Sequence, residues 1–199
     1  MSLLLESIQI LNGEIQLLDY HNERMNRSRN QLMCTLSEIF LEDYINIPKD
    51  FLNGKIKCRI LYGQDIDKIE YTHYSEKVFT DFKLIETNID YSFKYSDRAA
   101  FEKLKAPLPN TTEIILTKKG FITDSSFSNL IFKDKHGQWF TPVKTLLEGV
   151  QREFLLDEEM IMEREIKTSD LHNYTHFMLI NAMLNFDESR ALDISYINH

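Results

Sequence analysis

The stretch "GFITDSSFSNLIF", Gly120 to Phe132, sets two short apolar runs around a polar cluster. Phe121 and Ile122 suit the start of a strand, and Leu130, Ile131 and Phe132 suit its continuation. Between them stand Asp124, Ser125, Ser126, Ser128 and Asn129, where a core strand would carry apolar residues. Asp, Ser and Asn are turn formers because their short side chains bond the neighbouring backbone, so a polar hairpin is the simplest reading.

Composition limits what surrounds this stretch. With 199 residues, 43% of them hydrophobic and 12% aromatic, the chain can bury a real core as one large domain or two small lobes. Glu6 interrupts the apolar start before it makes a signal-peptide core, so Cys34 and Cys58 are expected as free thiols in a reducing cytoplasm. No apolar run approaches the length of a bilayer span, which argues against a membrane protein. A net charge of -8 argues against a general nucleic-acid or anionic-membrane surface, so any anionic ligand needs a local cluster of donors.

Strand and helix patterns are interspersed along the chain, which predicts an α+β or mixed α/β fold of two lobes. Asn12-Gly13 between apolar runs predicts a tight hairpin. Met25, Leu32, Leu36, Ile39 and Phe40 fall near helical spacing, so a helix is expected over about 21–40. Strands follow at "GKIKCRILYG", "DKIEYTHY" and "VFTDFKLIE", which places a small α/β lobe at residues 1–87 and a larger lobe at 88–199. In the second lobe Asp97 is the expected cap of a short helix ending before Pro107. Strands are expected at "TEIILT", "QWFTP" and "HFMLINAML", and a helix entered at Gly149.

No G-x-G-x-x-G, P-loop, H-E-x-x-H or paired C-x-x-C pattern is present, so dinucleotide, nucleotide and common zinc chemistry lack sequence support. His172 and His176 have the i,i+4 spacing of two ligands on a helix face, but the intervening Asn173 and Tyr174 break that helix, and no metal site is expected.

Several weak signals in one order carry more than any of them alone. "YHNERMNRSRNQL", the lysine in "FKYSDR", "GFITDSSFSNLIF", "TPVKTLLEGVQREFLL" and "MLINAML" follow one another across the chain. In that order they resemble the class IV aminotransferases, the fold-type IV pyridoxal phosphate (PLP) enzymes. The family's forms are an H-x-x-R helix, a catalytic Lys, a G-x-(I/V)-x-E segment leading into S-N, T-P followed by G-(I/V)-x-R, and a small polar loop. The resemblance spans roughly Leu4 to Asn185. It implies a two-lobed α+β fold like that of D-amino acid aminotransferase, with the usual first N-terminal hairpin truncated because Glu6 already lies in the family's first conserved strand.

The resemblance also assigns roles. Lys94 would be the Schiff-base lysine and proton carrier, a task that needs a partly desolvated amine. Asp124 would face the pyridine nitrogen, where the family normally has Glu, with Ser128 and Asn129 shaping the site. Phosphate would be held by Arg24 of H-x-x-R, by Gly149, Val150 and Gln151 at a helix start, and by the loop at Asn181 and Ala182. Many relatives place Thr or Ser where Gln151 stands.

Among the family's reactions, the K-x-x-x-R spacing of Lys94 and Arg98 and the compact length favour a 4-amino-4-deoxychorismate lyase, which releases 4-aminobenzoate and pyruvate in folate synthesis. An aminotransferase for a small D- or branched-chain amino acid, and a family-shaped binding protein without turnover, are the alternatives. The implied ligand is a small molecule with an amine and carboxylates, for which Arg27, Arg59, Arg98 and Lys118 are available cations. A cytoplasmic homodimer is expected, since the family completes its site with a neighbouring subunit.

Overall fold

The computed structural model describes residues 3–198, and the chain divides into two compact units. The first holds residues up to Glu76 together with Phe93–Asp97, and the second holds Lys77–Ser92 and everything from Arg98 onward. The sequence boundary at residue 87 therefore moves. Strand Asp81–Glu86 is half-apolar and pairs in parallel with Thr112–Lys118, so it belongs to the second unit's sheet, while Phe93 and Tyr95 pack on the first unit's core.

In the first unit, β1 (Leu4–Leu11) turns at Asn12 and Gly13, with φ of 50° and 85°, into the short β2 (Glu14–Ile15). Two successive positive φ angles are what a two-residue hairpin with the right strand twist requires, and Asn-Gly supplies them at little cost. β3 (Lys55–Tyr62) and β4 (Ile66–His73) complete a sheet of order β2-β1-β3-β4. Alternate residues of β3, namely Ile56, Cys58, Ile60 and Tyr62, are buried against Leu4, Ile8, Ile10 and Met25.

Helix α1 covers Leu18–Met33 and stops short of the expected residue 40. Cys34 adopts φ 54°, and the chain doubles back along the helix. Asn26 bonds both the N–H and the C=O of Ile39, Asn22 accepts the N–H of Leu41 at 2.8 Å, and Arg29 donates to the Ser37 carbonyl at 2.8 Å. Side-chain bonds to the returning segment thus replace further helical turns, and Leu36, which the helical spacing would have buried, is 86% exposed.

In the second unit, β5 (Asp81–Glu86) precedes α2 (Ala99–Lys105), β6 (Thr112–Lys118), β7 (Phe121–Ser125), β8 (Asn129–Asp134), β9 (Trp139–Pro142), α3 (Val150–Asp157), β10 (Met162–Arg164), β11 (Tyr174–Ile180), β12 (Leu192–Asp193) and β13 (Ile197–Asn198). The sheet runs β10-β9-β8-β7-β6-β5-β13, with β11 joining β8 to β12. Ile131, Trp139, Leu155, Met178 and Ile180 form one cluster, which seats α3 on β8, β9 and β11. α2 begins one residue later than expected: Arg98 is its N-cap, and the Arg98 side chain makes no cap hydrogen bond. His172 closes a 3₁₀ turn and His176 lies on β11, so the pair does not share a helix face. Among the described residues no helix is long and apolar enough to cross a membrane.

Candidate active site

Each unit brings part of the expected residue set together. In the first, β1 places Glu6 fully buried opposite α1, where His21 and Arg24 lie three residues apart and therefore on one helix face. Arg24 donates from Nε to Glu6 Oε1 at 3.0 Å and from Nη2 to Oε2, while His21 Nδ1 lies 2.7 Å from Oε2. Burial alone would raise the Glu6 carboxyl, but Arg24 and His21 outweigh it and hold the group at about 2. Burial lowers the pKa of His21 despite its bond to Glu6. The ring is then neutral, Nδ1–H donates to the carboxylate, and Nε2 is a buried acceptor without a hydrogen-bond partner among the described residues.

Lys94 is half-buried between Phe93 and Tyr95, and its segment lies along β1. Leu5 N–H donates to the Lys94 carbonyl at 2.9 Å, and Leu4 bridges Tyr95. This sets Lys94 beside the Glu6 strand, near enough that its charge also disfavours protonation of His21. The family resemblance assigns no role to Glu6 or His21. The His-x-x-Arg spacing was the available signal for His21, but nothing local marked Glu6 as its partner and that of Arg24.

In the second unit the opening stretch resolves into a turn and an acid. Ser125 accepts the N–H of Ser128 on its hydroxyl at 3.0 Å, the two hydroxyls meet at 2.8 Å, and Ser125 N–H reaches the Ser128 carbonyl at 2.8 Å. Ser128 thus builds the turn. Glu113, buried on β6, accepts Ser126 N–H at 3.0 Å and pairs with Lys105. Arg98 donates to the Ser126 carbonyl, with its guanidinium 4.8 Å from the Tyr91 ring centre and 4.1 Å from that of Phe101. Asn181 donates to the Phe127 carbonyl at 3.3 Å and accepts Met183 N–H at 2.8 Å, holding half-buried Ala182 in a tight turn after β11.

Asp124 is buried on β7. Its Oδ1 accepts Asn129 Nδ2 at 2.6 Å, and its Oδ2 accepts the N–H groups of Leu147, at 3.1 Å, and Leu146. Burial pushes this carboxyl up to about 6, with the three donors opposing the rise. The same loop leads to Gly149, the N-cap of α3, and to Val150 and Gln151 in its buried first turn. The first N–H groups of a helix have no carbonyl partner within it, so this turn presents anion-binding donors. Arg152 ties the helix to β9 through the Pro142 carbonyl at 3.1 Å and pairs with Glu163, which explains why T-P and G-V-x-R occur together.

Of the available cations, Arg27 pairs with Glu23, Arg59 with Glu70, and Arg98 is taken up by the turn. Lys118 stands exposed at the end of β6. Among the described residues no group of His, Cys, Asp and Glu is placed to hold a metal ion.

This two-lobed α+β architecture is that of the fold-type IV aminotransferases and lyases. The family described as Amino-transferase class IV matches residues 94–186. An uncharacterized protein of Haemophilus influenzae is 39% identical over 183 residues, covering 90% of this chain and 97% of that protein. The crystal structure of a "putative 4-amino-4-deoxychorismate lyase" from Haemophilus somnus 129pt is 35% identical, covers 94% of this chain and 98% of its own, and superposes with a TM-score of 0.85. The PLP-bound form of a hypothetical aminotransferase from Mycobacterium tuberculosis shares the fold at 12% identity and a TM-score of 0.73, covering 99% of this chain and 81% of its own. The chain belongs to the class IV aminotransferase family.

Proposed function

We propose that the protein is a PLP-dependent 4-amino-4-deoxychorismate lyase. The observation that carries the cofactor is the donor set around Asp124. A carboxylate offers about four acceptor positions, and three are filled by Asn129, Leu146 and Leu147, so one is left for a ring N–H. Phosphate would be taken by the α3 N-terminus. Lys94 would carry the covalent attachment. The match along 98% of the chain described as a "putative 4-amino-4-deoxychorismate lyase" favours that reaction over transamination.

When bound, PLP supplies an electron sink for the carbon that bears the substrate amine. Lys94 would remove the proton from that carbon; loss of the substrate's C–O bond would release the enolpyruvyl group, whose methylene takes up a proton to give pyruvate, leaving the aromatic 4-aminobenzoate. Asp124 would face the ring nitrogen of the bound cofactor and favour its protonated form, where charge develops in the transition state.

The test is cofactor bookkeeping in solution. With 4-amino-4-deoxychorismate alone, the protein should release 4-aminobenzoate and pyruvate in equal and sustained amounts. An untouched aminochorismate, with steady nitrogen exchange between an amino acid and 2-oxoglutarate, would replace the lyase by an aminotransferase. Failure to take up PLP at all would leave a binding protein of this fold.

A further inference from the structure

Gly149 is the N-cap of α3, yet its φ of -84° is open to any residue. What demands glycine there is space: a Cβ at this position would lie 2.0 Å from Asn129 Oδ1 and 3.2 Å from Asn129 Cγ. Contacts under about 3 Å do not occur between such atoms, and Asn129 is 5% exposed at the start of β8, so it has little room to yield. Its amide is fixed on the other side as well. Nδ2 donates to Asp124 Oδ1 at 2.6 Å and to the Leu147 carbonyl at 2.8 Å.

One amide therefore touches both the buried acid and the loop that opens α3. Asp124 reinforces the link by accepting Leu146 N–H and Leu147 N–H on its other oxygen. The carboxylate and the helix start are held as a single piece, and Asn129 is the member that contacts each end.

We infer that Asn129 is a positioning residue that registers the acid at Asp124 against the anion-binding end of α3, and that Gly149 is glycine in order to admit it. The inference rests on the PLP reading, in which Asp124 takes the ring nitrogen and α3 takes the phosphate. A ligand that must meet both ends at once gains from their fixed separation, because the second contact becomes intramolecular once the first is made. A ligand that meets the acid alone gains nothing from it.

The experiment compares equilibrium binding of PLP with that of pyridoxal, the same ring without phosphate, by absorbance titration. In Asn129→Ala the affinity for PLP should fall about 10-fold or more, and that for pyridoxal about 3-fold or less, because only PLP uses both ends. Asn129→Asp, which keeps the side chain's shape but turns a donor into an acceptor, should lower the ratio in the same direction and serves if the alanine variant does not fold. A second readout needs no cofactor. Gly149→Ala should lower the melting midpoint, and adding Asn129→Ala should restore part of the loss, since the two clashing groups are no longer both present.

Equal losses for PLP and pyridoxal, or midpoint losses that simply add, would overturn the inference while leaving the PLP reading intact. A wild-type protein that binds neither ligand would overturn the PLP reading, and the inference with it.

Discussion

Arg24 and Glu6 form an ion pair inside the first unit, Nε to Oε1 at 3.0 Å, and His21 shares the same carboxylate. The Arg24 guanidinium is therefore fixed in orientation and partly neutralised. Removing one partner of a buried pair strands the other charge, so Glu6→Gln should destabilise the protein by ~3–5 kcal/mol in denaturant titrations. A loss below about 1 kcal/mol, the range of an exposed pair, would contradict the buried arrangement.

The same cluster predicts acid sensitivity. Glu6 is held at about 2 against an ordinary 4.5, so its contribution is fully present above 4.5 and is lost as pH falls toward 2. The separation corresponds to on the order of 3 kcal/mol. His21, also depressed, contributes stability above 6.5 that is lost as pH drops through its lowered value. Chemical denaturation between pH 7 and 3 should show a decline that is shallower in His21→Gln, where no ring remains to be protonated.

Asp124 works in the opposite sense. Burial raises it from 3.8 to about 6, so its contribution to the cofactor-free protein is fully present below 3.8 and is lost as pH rises through 6. Asp124→Ala should flatten that segment of the stability profile. In the loaded enzyme the same variant should lower kcat about 10²–10³-fold, with a smaller effect on PLP retention, because the acid matters most where charge develops. Equal effects on retention and kcat would assign Asp124 to binding alone.

Arg98 is occupied by the turn that follows the acid. Stacked near Tyr91 and Phe101 and bonded to the Ser126 carbonyl, it acts through its planar guanidinium, which lysine does not reproduce. Arg98→Lys should cost about 1–3 kcal/mol in denaturant stability, as expected for a lost charged hydrogen bond. A lysine variant of unchanged stability would free Arg98 for a role at the substrate.

Much of this was legible from local pattern. Asn12-Gly13 dictates its hairpin through φ alone, and the alternation of Ile56, Cys58, Ile60 and Tyr62 marks β3 without reference to the rest of the chain. The end of α1 was not legible, because the residues that stop it are Asn22, Asn26 and Arg29 within the helix, whose side chains capture the irregular segment that returns at 37–41. Helical spacing of Leu36, Ile39 and Phe40 persists in the sequence past the point where those bonds take over. The division into units was not legible for a similar reason: Asp81–Glu86 has ordinary strand composition, and only its parallel pairing with Thr112–Lys118 decides where it belongs. At the site, Asp124 stood out as a carboxylate in an apolar context, whereas its main-chain donors at Leu146 and Leu147 leave no trace in side-chain identity.

A homodimer is proposed on the same family grounds. Light scattering of the PLP-loaded protein should give twice the mass of one chain. A fully active monomer would contradict a site completed by a neighbouring subunit.

The central claim is that Lys94 carries PLP. The purified protein, incubated with PLP and reduced with borohydride, should lose its yellow absorbance and retain one covalent pyridoxyl group, which peptide mass mapping should place on Lys94. Lys94→Ala should show neither the colour nor the adduct. A wild-type adduct on another lysine, with Lys94 unmodified, or the absence of any adduct, would contradict it.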